Sequence, residues 1–162
     1  MKQKKPIHLL IRFSDRLLEN RGTIEEHQNV IEKEGAVWFG KMGQPVSYNV
    51  IEKLNQQVEK NIKTYIYLVK GNRRTPSAFL SELIIASREF PQNEKELIPA
   101  YYQELEIIQF IKVWVKIRCL HEIGSGDLNK MRVASSVYPL TETLIKSSTG
   151  HFIIKEDTLH FK

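Results

Sequence analysis

The sequence predicts an α+β fold, a small bent β-barrel with two main helices flanking it. Three observations carry this. About six or seven short runs have strand chemistry, with β-branched and aromatic residues and period-two alternation. Only two segments carry a sustained helical stripe, and both lie early in the chain. Their order is strand, helix, strand, helix, then strands. That is not the regular alternation of an α/β sheet, and strands crowded after residue 63 favour a strongly bent sheet.

The elements follow in chain order. Residues 6–13 alternate, with Ile7, Leu9, Ile11 and Phe13 on one face and His8, Leu10 and Arg12 on the other. Ser14 and Asp15 end that strand, and a helical turn is expected over 15–20. Thr23 followed by Glu26 has the capping-box spacing, so a helix is expected from there, with Ile24, His27, Val30 and Ile31 on one face. Gly35 stands where a left-handed residue ends a helix. Residues 36–41 read as a short aromatic strand. Ser47 is placed to cap a second helix to about residue 61, with Val50, Ile51, Leu54 and Val58 as its buried stripe.

Residues 63–69 form a strand with Ile66 and Leu68 opposite Tyr65, Tyr67 and Val69. A cationic turn follows at 70–76, then a strand at 78–88. Pro91 and Pro99 argue against a regular element between 91 and 102. Residues 107–120 are the longest strand run. There Ile111, Val113, Val115, Ile117 and Cys119 form an apolar face, and Lys112, Trp114, Lys116 and Arg118 form the opposite one. A turn at 124–127, a short helix capped by Asp127, an extended stretch at 132–138, a helical turn within 139–146 and a strand at 151–155 complete the chain.

At 162 residues the chain reads as one domain spanning 1–162, large enough to bury about two-thirds of its unfolded surface. No apolar run reaches the ~20 residues of a membrane span, and the basic N-terminus lacks a cleavage-site pattern. The single cysteine excludes an internal disulfide framework and fits a reducing, cytoplasmic setting. Lys and Arg number 24 against 19 Asp and Glu, an excess of +5 that is compatible with a nucleic-acid partner.

Catalytic signatures are scarce. No phosphate-binding loop or nucleophile elbow is present, and the five histidines are scattered away from metal spacing. The expectation is therefore no enzyme, no cofactor and no metal. What stands out is aromatic residues beside cations. Trp38 and Phe39 precede Lys41; Tyr65 and Tyr67 precede Lys70, Arg73 and Arg74; Trp114 lies between Lys112 and Lys116. Such surfaces stack bases and neutralise phosphates. The alternative is that the aromatics are core and the cations ordinary solvated surface.

The runs GAVWFGKMG at 35–43, KTYIYLVKG at 63–71 and IKVWVKI at 111–117, with a late Ser-Ser-Thr-Gly turn, resemble the PUA-like superfamily, its EVE-type branch in particular. The resemblance covers nearly the whole chain. It implies a pseudo-barrel that reads nucleic acid, DNA in preference to RNA. It also implies a modified base flipped into an aromatic pocket, and a specificity module in a restriction or defence system beside a nuclease or motor ATPase. Carried over, the base pocket falls on Ser14, Asp15, Trp38, Phe39, Gly40, Ser135 and Ser136. Lys41, Lys70, Arg73, Arg74, Lys112 and Lys116 are then the expected phosphate contacts. Phe13 stands where the EVE-type branch carries a tryptophan. Two other readings remain open. One is an RNA-binding PUA or ASCH-like domain, whose hydrolase form needs a Lys, a Thr and a carboxylate in one cleft, with Lys41, Thr64 and Glu82 the nearest candidates. The other is a protein-interaction or regulatory module.

Overall fold

The computed structural model describes residues 5–18, 22–70, 77–134, 140, 143–144 and 150–156. The strands are β1 (His8–Phe13), β2 (Val37–Met42), β3 (Tyr65–Lys70), β4 (Ser77–Ser87), β5 (Ile111–Ile123), β6 (Arg132–Val133) and β7 (His151–Glu156). Helices α1 (Thr23–Glu34) and α2 (Tyr48–Glu59) lie between the first three strands. Two short ones follow later, α3 (Tyr101–Glu104) and α4 (Ser125–Asn129). The fold is α+β, as the sequence predicts.

All seven strands join one mixed sheet in the order β2-β5-β4-β3-β1-β7-β6. β1 and β3 pair in parallel, and the other ladders are antiparallel. No ladder joins β2 to β6 among the described residues, so the sheet is an open pseudo-barrel. Its bending has local causes. The register shifts at Lys41/Met42, between Leu80 and Glu82, and between Leu83 and Ile85. Such bulges bend a strand and increase its twist.

Alternation along β1 and β3 builds two cores at once. Leu9, Ile11, Ile66 and Leu68 face α1 and α2, joining Val37, Phe39, Ile51 and Leu54. Leu10, Tyr67 and Val69 face the other way, against Leu128, Met131, Leu140, Leu144 and Phe152. A central strand covered on both faces shows no polar side, which is why β3 is buried from Ile66 to Val69. Gln57 ties α2 to this layer. Its amide accepts from Ile7 N–H and donates to Ile7 C=O, both at 2.8 Å, extending the ladder beyond β1.

The helix ends obey local chemistry. Gly35 ends α1 at φ 87°, where a side chain is strained, and Ser47 caps α2 by accepting from Val50 N–H. The start of α1 differs from expectation. Gly22 is the cap residue, and the Thr23 side chain caps nothing. Instead the Thr23 N–H donates to the Asp15 carboxylate at 2.8 Å, so the cap arrives from the end of β1.

The largest correction concerns residues 91–110. The two prolines do not prevent structure. Pro91 precedes a 3₁₀ segment, Gln92–Leu97, and Pro99 precedes α3; a further 3₁₀ turn, Ile108–Phe110, delays β5 to Ile111. This stretch covers the face of β5 expected to meet solvent. Trp114 is 1% exposed, packed against Phe90 and Tyr102 at ring distances of 5.7 and 5.3 Å. Lys116 is bound to Glu94 of the same cover at 2.7 Å. Further along β5, Cys119 takes φ 61° at the bulge and is exposed, so the expected apolar face ends at Ile117.

Because Trp114 is core and Lys112 is surface, Trp114→Ala should lower the unfolding free energy by about 3–5 kcal/mol. Lys112→Ala should leave it within about 0.5 kcal/mol. Urea denaturation of the two variants separates them; equal midpoints would mean that the 91–110 cover is not in place.

Candidate functional site

A cavity of about 500 Å³ opens where β1 ends beside β2. Phe13, Ser14 and Leu17 form one wall, and Phe39, Gly40, Lys41 and Met42 the other. Tyr101, Tyr102, Ile107 and Ile111 close it from the covering segment. This volume lies in the ~300–1,000 Å³ range of small-ligand pockets. The wall is aromatic and aliphatic, and Arg12, Arg16 and Lys41 supply its charge.

Behind the wall runs a buried hydrogen-bond line. Thr23 C=O lies 2.7 Å from His27 Nδ1, and His27 Nε2 lies 2.9 Å from the Tyr102 hydroxyl. A carbonyl only accepts, so Nδ1 carries the proton and Nε2 accepts from Tyr102. The Tyr102 oxygen in turn accepts from Gly40 N–H at 2.9 Å. Every group in the line is satisfied with His27 neutral. Burial opposes charging the ring and holds its pKa down at about 4. The same burial pushes the Tyr102 phenol up to about 12.

Gly40 is required by packing as well. A Cβ there would lie 3.0 Å from Ile111 side-chain atoms and 3.1 Å from the Trp114 ring. Its amide is committed to Tyr102, so Gly40 helps shape the cavity and has no free N–H to offer a ligand. Phe39 is buried, with its ring 4.8 Å from His27 and 6.3 Å from Phe13.

Lys41 is 4% exposed yet has no carboxylate within ion-pair distance among the described residues. Its ammonium donates to Met42 C=O at 3.2 Å and to Gln44 C=O. Burial lowers its pKa. His151 stands nearby, with its pKa lowered by burial and then by the Lys41 charge; its buried Nδ1 has no hydrogen-bond partner among the described residues. Arg12 donates to Leu144 C=O, and its guanidinium lies over Phe152 at 5.3 Å.

The structure thus brings Ser14, Phe39, Gly40 and Lys41 together around one cavity and leaves other expected residues outside it. Asp15 is not a lining residue. It caps α1 and forms an ion pair with Lys70. Burial favours its neutral form, but the hydrogen bonds from Lys70 and Thr23 outweigh this and hold the pKa low. Trp38 points the other way, 4% exposed in the cluster of Leu18, Leu97 and Trp114, with its indole N–H unpartnered among the described residues. It cannot stack a ligand without leaving that cluster. Lys112 is exposed on β5, whereas Lys116 is tied to Glu94. Ser135, Ser136, Arg73 and Arg74 lie outside the described residues. Lys41, Thr64 and Glu82 do not meet in one cleft. Lys41 lines this cavity, while Thr64 and Glu82 line a separate hollow with Lys63 and Arg118.

Sequence reasoning missed Arg12, Thr23, Tyr101 and Tyr102 as cavity residues. A trace of signal existed for the tyrosines, an aromatic pair held between Pro99 and Ile107. Among the described residues no cluster of three or more His, Cys, Asp or Glu is placed to hold a metal, and no helix is long and apolar enough to cross a membrane.

A family model described as Pua-like matches residues 9–157. No curated protein and no solved structure matches the chain significantly.

The neutral His27 gives stability a pH dependence of definite sign. An unfolded imidazole takes a proton near its ordinary 6.5, the folded one only near 4. Acidification between those values therefore favours the unfolded chain, and stability should fall from pH 7 towards pH 4.5. Asp15 acts in a lower window, below its ordinary carboxyl value of 3.8. Urea midpoints measured from pH 7 to 4.5 should decline, and His27→Gln should flatten the decline, leaving the smaller contribution of His151. An unchanged slope would mean that His27 is not buried as a neutral base.

Proposed function

The chain belongs to the PUA-like family, whose domains are nucleic-acid-binding modules, and on that premise we propose a non-catalytic reader of duplex DNA. One base is extruded from the stack and held in the cavity between β1 and β2. The observation that carries this reading is the cavity itself. It joins an aromatic wall at Phe13, Phe39 and Tyr101 to cationic groups, Arg12 and Arg16 towards the outside and Lys41 buried in the wall. Enzymes and readers that take a base out of a duplex hold it in such pockets, between aromatic or apolar side chains. Stacking on an aromatic face is worth about 1–3 kcal/mol per base.

In this reading Phe13 and Phe39, which meet edge-on, form the apolar side against which the base packs, and Ser14 lies at the mouth. Phosphates on either side meet Lys70 and Lys112, both exposed, together with Arg73 and Arg74. Lys116 takes part only by releasing Glu94, and Asp15 acts by positioning Lys70. Trp38 and Gly40 support the wall from behind. A reader without chemistry of its own needs a partner that acts on the DNA. We place the chain in the EVE-type branch, as a cytoplasmic specificity module for a nuclease or motor ATPase in a restriction or defence system.

Two measurements test this. Affinity for a short duplex should fall with salt by about 0.9 log units per log unit for each phosphate neutralised. A curve flat from 50 to 200 mM salt, about the range over which such losses are large, would count against the proposal. Ser14 is exposed at the mouth, so Ser14→Trp should fill the cavity without unfolding the protein. It should abolish discrimination between modified and plain duplexes while weak, salt-sensitive binding persists. Discrimination that survives Ser14→Trp would place the reading pocket elsewhere, and tighter binding to matched RNA would overturn the choice of DNA.

A further inference from the structure

We infer that the cavity selects a base whose inserted edge is anionic or carries hydrogen-bond acceptors only, such as a C5-carboxylated pyrimidine, and that Lys41 reads that edge. This rests on the base-pocket reading above and narrows it to a ligand class.

The polar equipment of the cavity is one-sided. Among the described residues lining it there is no Asp, Glu, Asn or Gln. Several of the groups that could have accepted a hydrogen bond already hold one, and the hydroxyls of Ser14 and Tyr101 can donate as well as accept. The Tyr102 oxygen takes the Gly40 N–H, and the Thr23 carbonyl takes His27 Nδ1. The Ser14 carbonyl accepts from Thr23 Oγ1 at 3.3 Å. Asp15, the nearest acid along the chain, is turned to Thr23 N–H and Lys70. Donors remain. An ammonium has three N–H groups, and Lys41 spends two on the carbonyls of Met42 and Gln44. The third is uncommitted among the described residues, on a side chain that lines the cavity.

Charge points the same way. A buried cation whose hydrogen-bond partners among the described residues are carbonyls is costly, and an anion brought by the ligand relieves that cost. The exocyclic amine of adenine or unmodified cytosine would instead meet donors and leave its own N–H groups unpaired, whereas in a C5-carboxylated cytosine the neighbouring carboxylate accepts one of them and presents its charge to Lys41. A methyl group would gain contact with the apolar wall but nothing from Lys41. The position of Lys41 also revises its role. A backbone phosphate would be met at the protein surface, where Lys70 and Lys112 lie, whereas Lys41 is buried in the wall.

The experiment compares duplexes that differ at one central cytosine: unmodified, 5-methyl and 5-carboxyl. Each is titrated against the wild-type chain, Lys41→Met, Lys41→Arg and Ser14→Trp, with inorganic phosphate added as a competitor in a parallel arm. The wild type should bind the carboxylated duplex at least about tenfold more tightly than the other two, the scale of one charge-assisted hydrogen bond. Lys41→Met should erase that preference, and Lys41→Arg should keep most of it. Millimolar phosphate should compete with all duplexes alike. Circular dichroism checks that each variant is folded, and the wild-type panel is decisive without any variant. Equal or tighter binding of the methylated or plain duplex, with Ser14→Trp still abolishing discrimination or weakening binding, overturns this inference and leaves the base pocket standing. If neither base identity nor Ser14→Trp matters, both fail. If phosphate removes only the carboxylate preference, Lys41 holds a phosphate and the base-edge assignment is overturned.

Discussion

The hydroxyl of Tyr102 is the point on which the site depends. It accepts from the Gly40 amide on β2 and donates to His27 on α1, and its ring packs on Trp114 of β5. β2 is the last strand of the sheet, and an edge strand exposes backbone groups that seek partners. Tyr102 satisfies one of them from a segment that belongs to no strand. The same bond fixes α1 against the edge and holds the covering segment down over Trp114. Three elements far apart in sequence meet at a single oxygen atom, and the cavity is the space left beside it. A hydrogen bond in so buried a place is strong, and either partner left alone would be costly. The wall of the site is packed where it touches the core, and its exposed lining residues are Ser14, Arg16, Leu17 and Met42.

Charge in the molecule is sorted by depth. Nearer the surface, three lysines have acids beside them: Lys70 with Asp15, Lys116 with Glu94, Lys63 with Glu82. Exposed pairs of this kind contribute little to stability and break readily when a phosphate competes for the lysine. Deeper in, Lys41 has carbonyl partners and no acid among the described residues. The first arrangement suits contacts that form and dissolve with salt. The second suits a contact made only once water has been displaced, where a single charge counts for more.

Much of the fold is legible in the sequence, for reasons visible in particular residues. The alternation of β1 is clean because its two faces enter two different cores, and Leu10 is as apolar as Leu9 and Ile11. Gly35 and Ser47 mark helix ends because their local chemistry suffices without tertiary help. Where tertiary packing decides, pattern misleads. Lys112, Trp114 and Lys116 alternate like an outer face, but a covering segment lies on it, and only the two lysines find an edge or a partner. Trp38 beside Phe39 looks like a stacking pair, yet alternation sends them to opposite sides, one to the cover and one to the cavity. Four cavity residues were legible as neighbours of a pocket because β1 and β2 carry them. Tyr101 and Tyr102 were not, since nothing local says that a proline-bounded stretch folds back over β5.

The bulge at Cys119 has a practical consequence. It turns the molecule's single thiol outward, into a shallow hollow with Tyr65, Leu80 and His121 that shares no lining residue with the cavity. A maleimide dye therefore attaches at one known position and leaves the pocket unobstructed. The native chain can report its own encounters with a ligand by polarisation or energy transfer, with no engineered cysteine and no existing thiol to remove. The same exposure means that concentrated stocks need a reductant, because two such thiols on separate molecules can meet and oxidise to a covalent dimer.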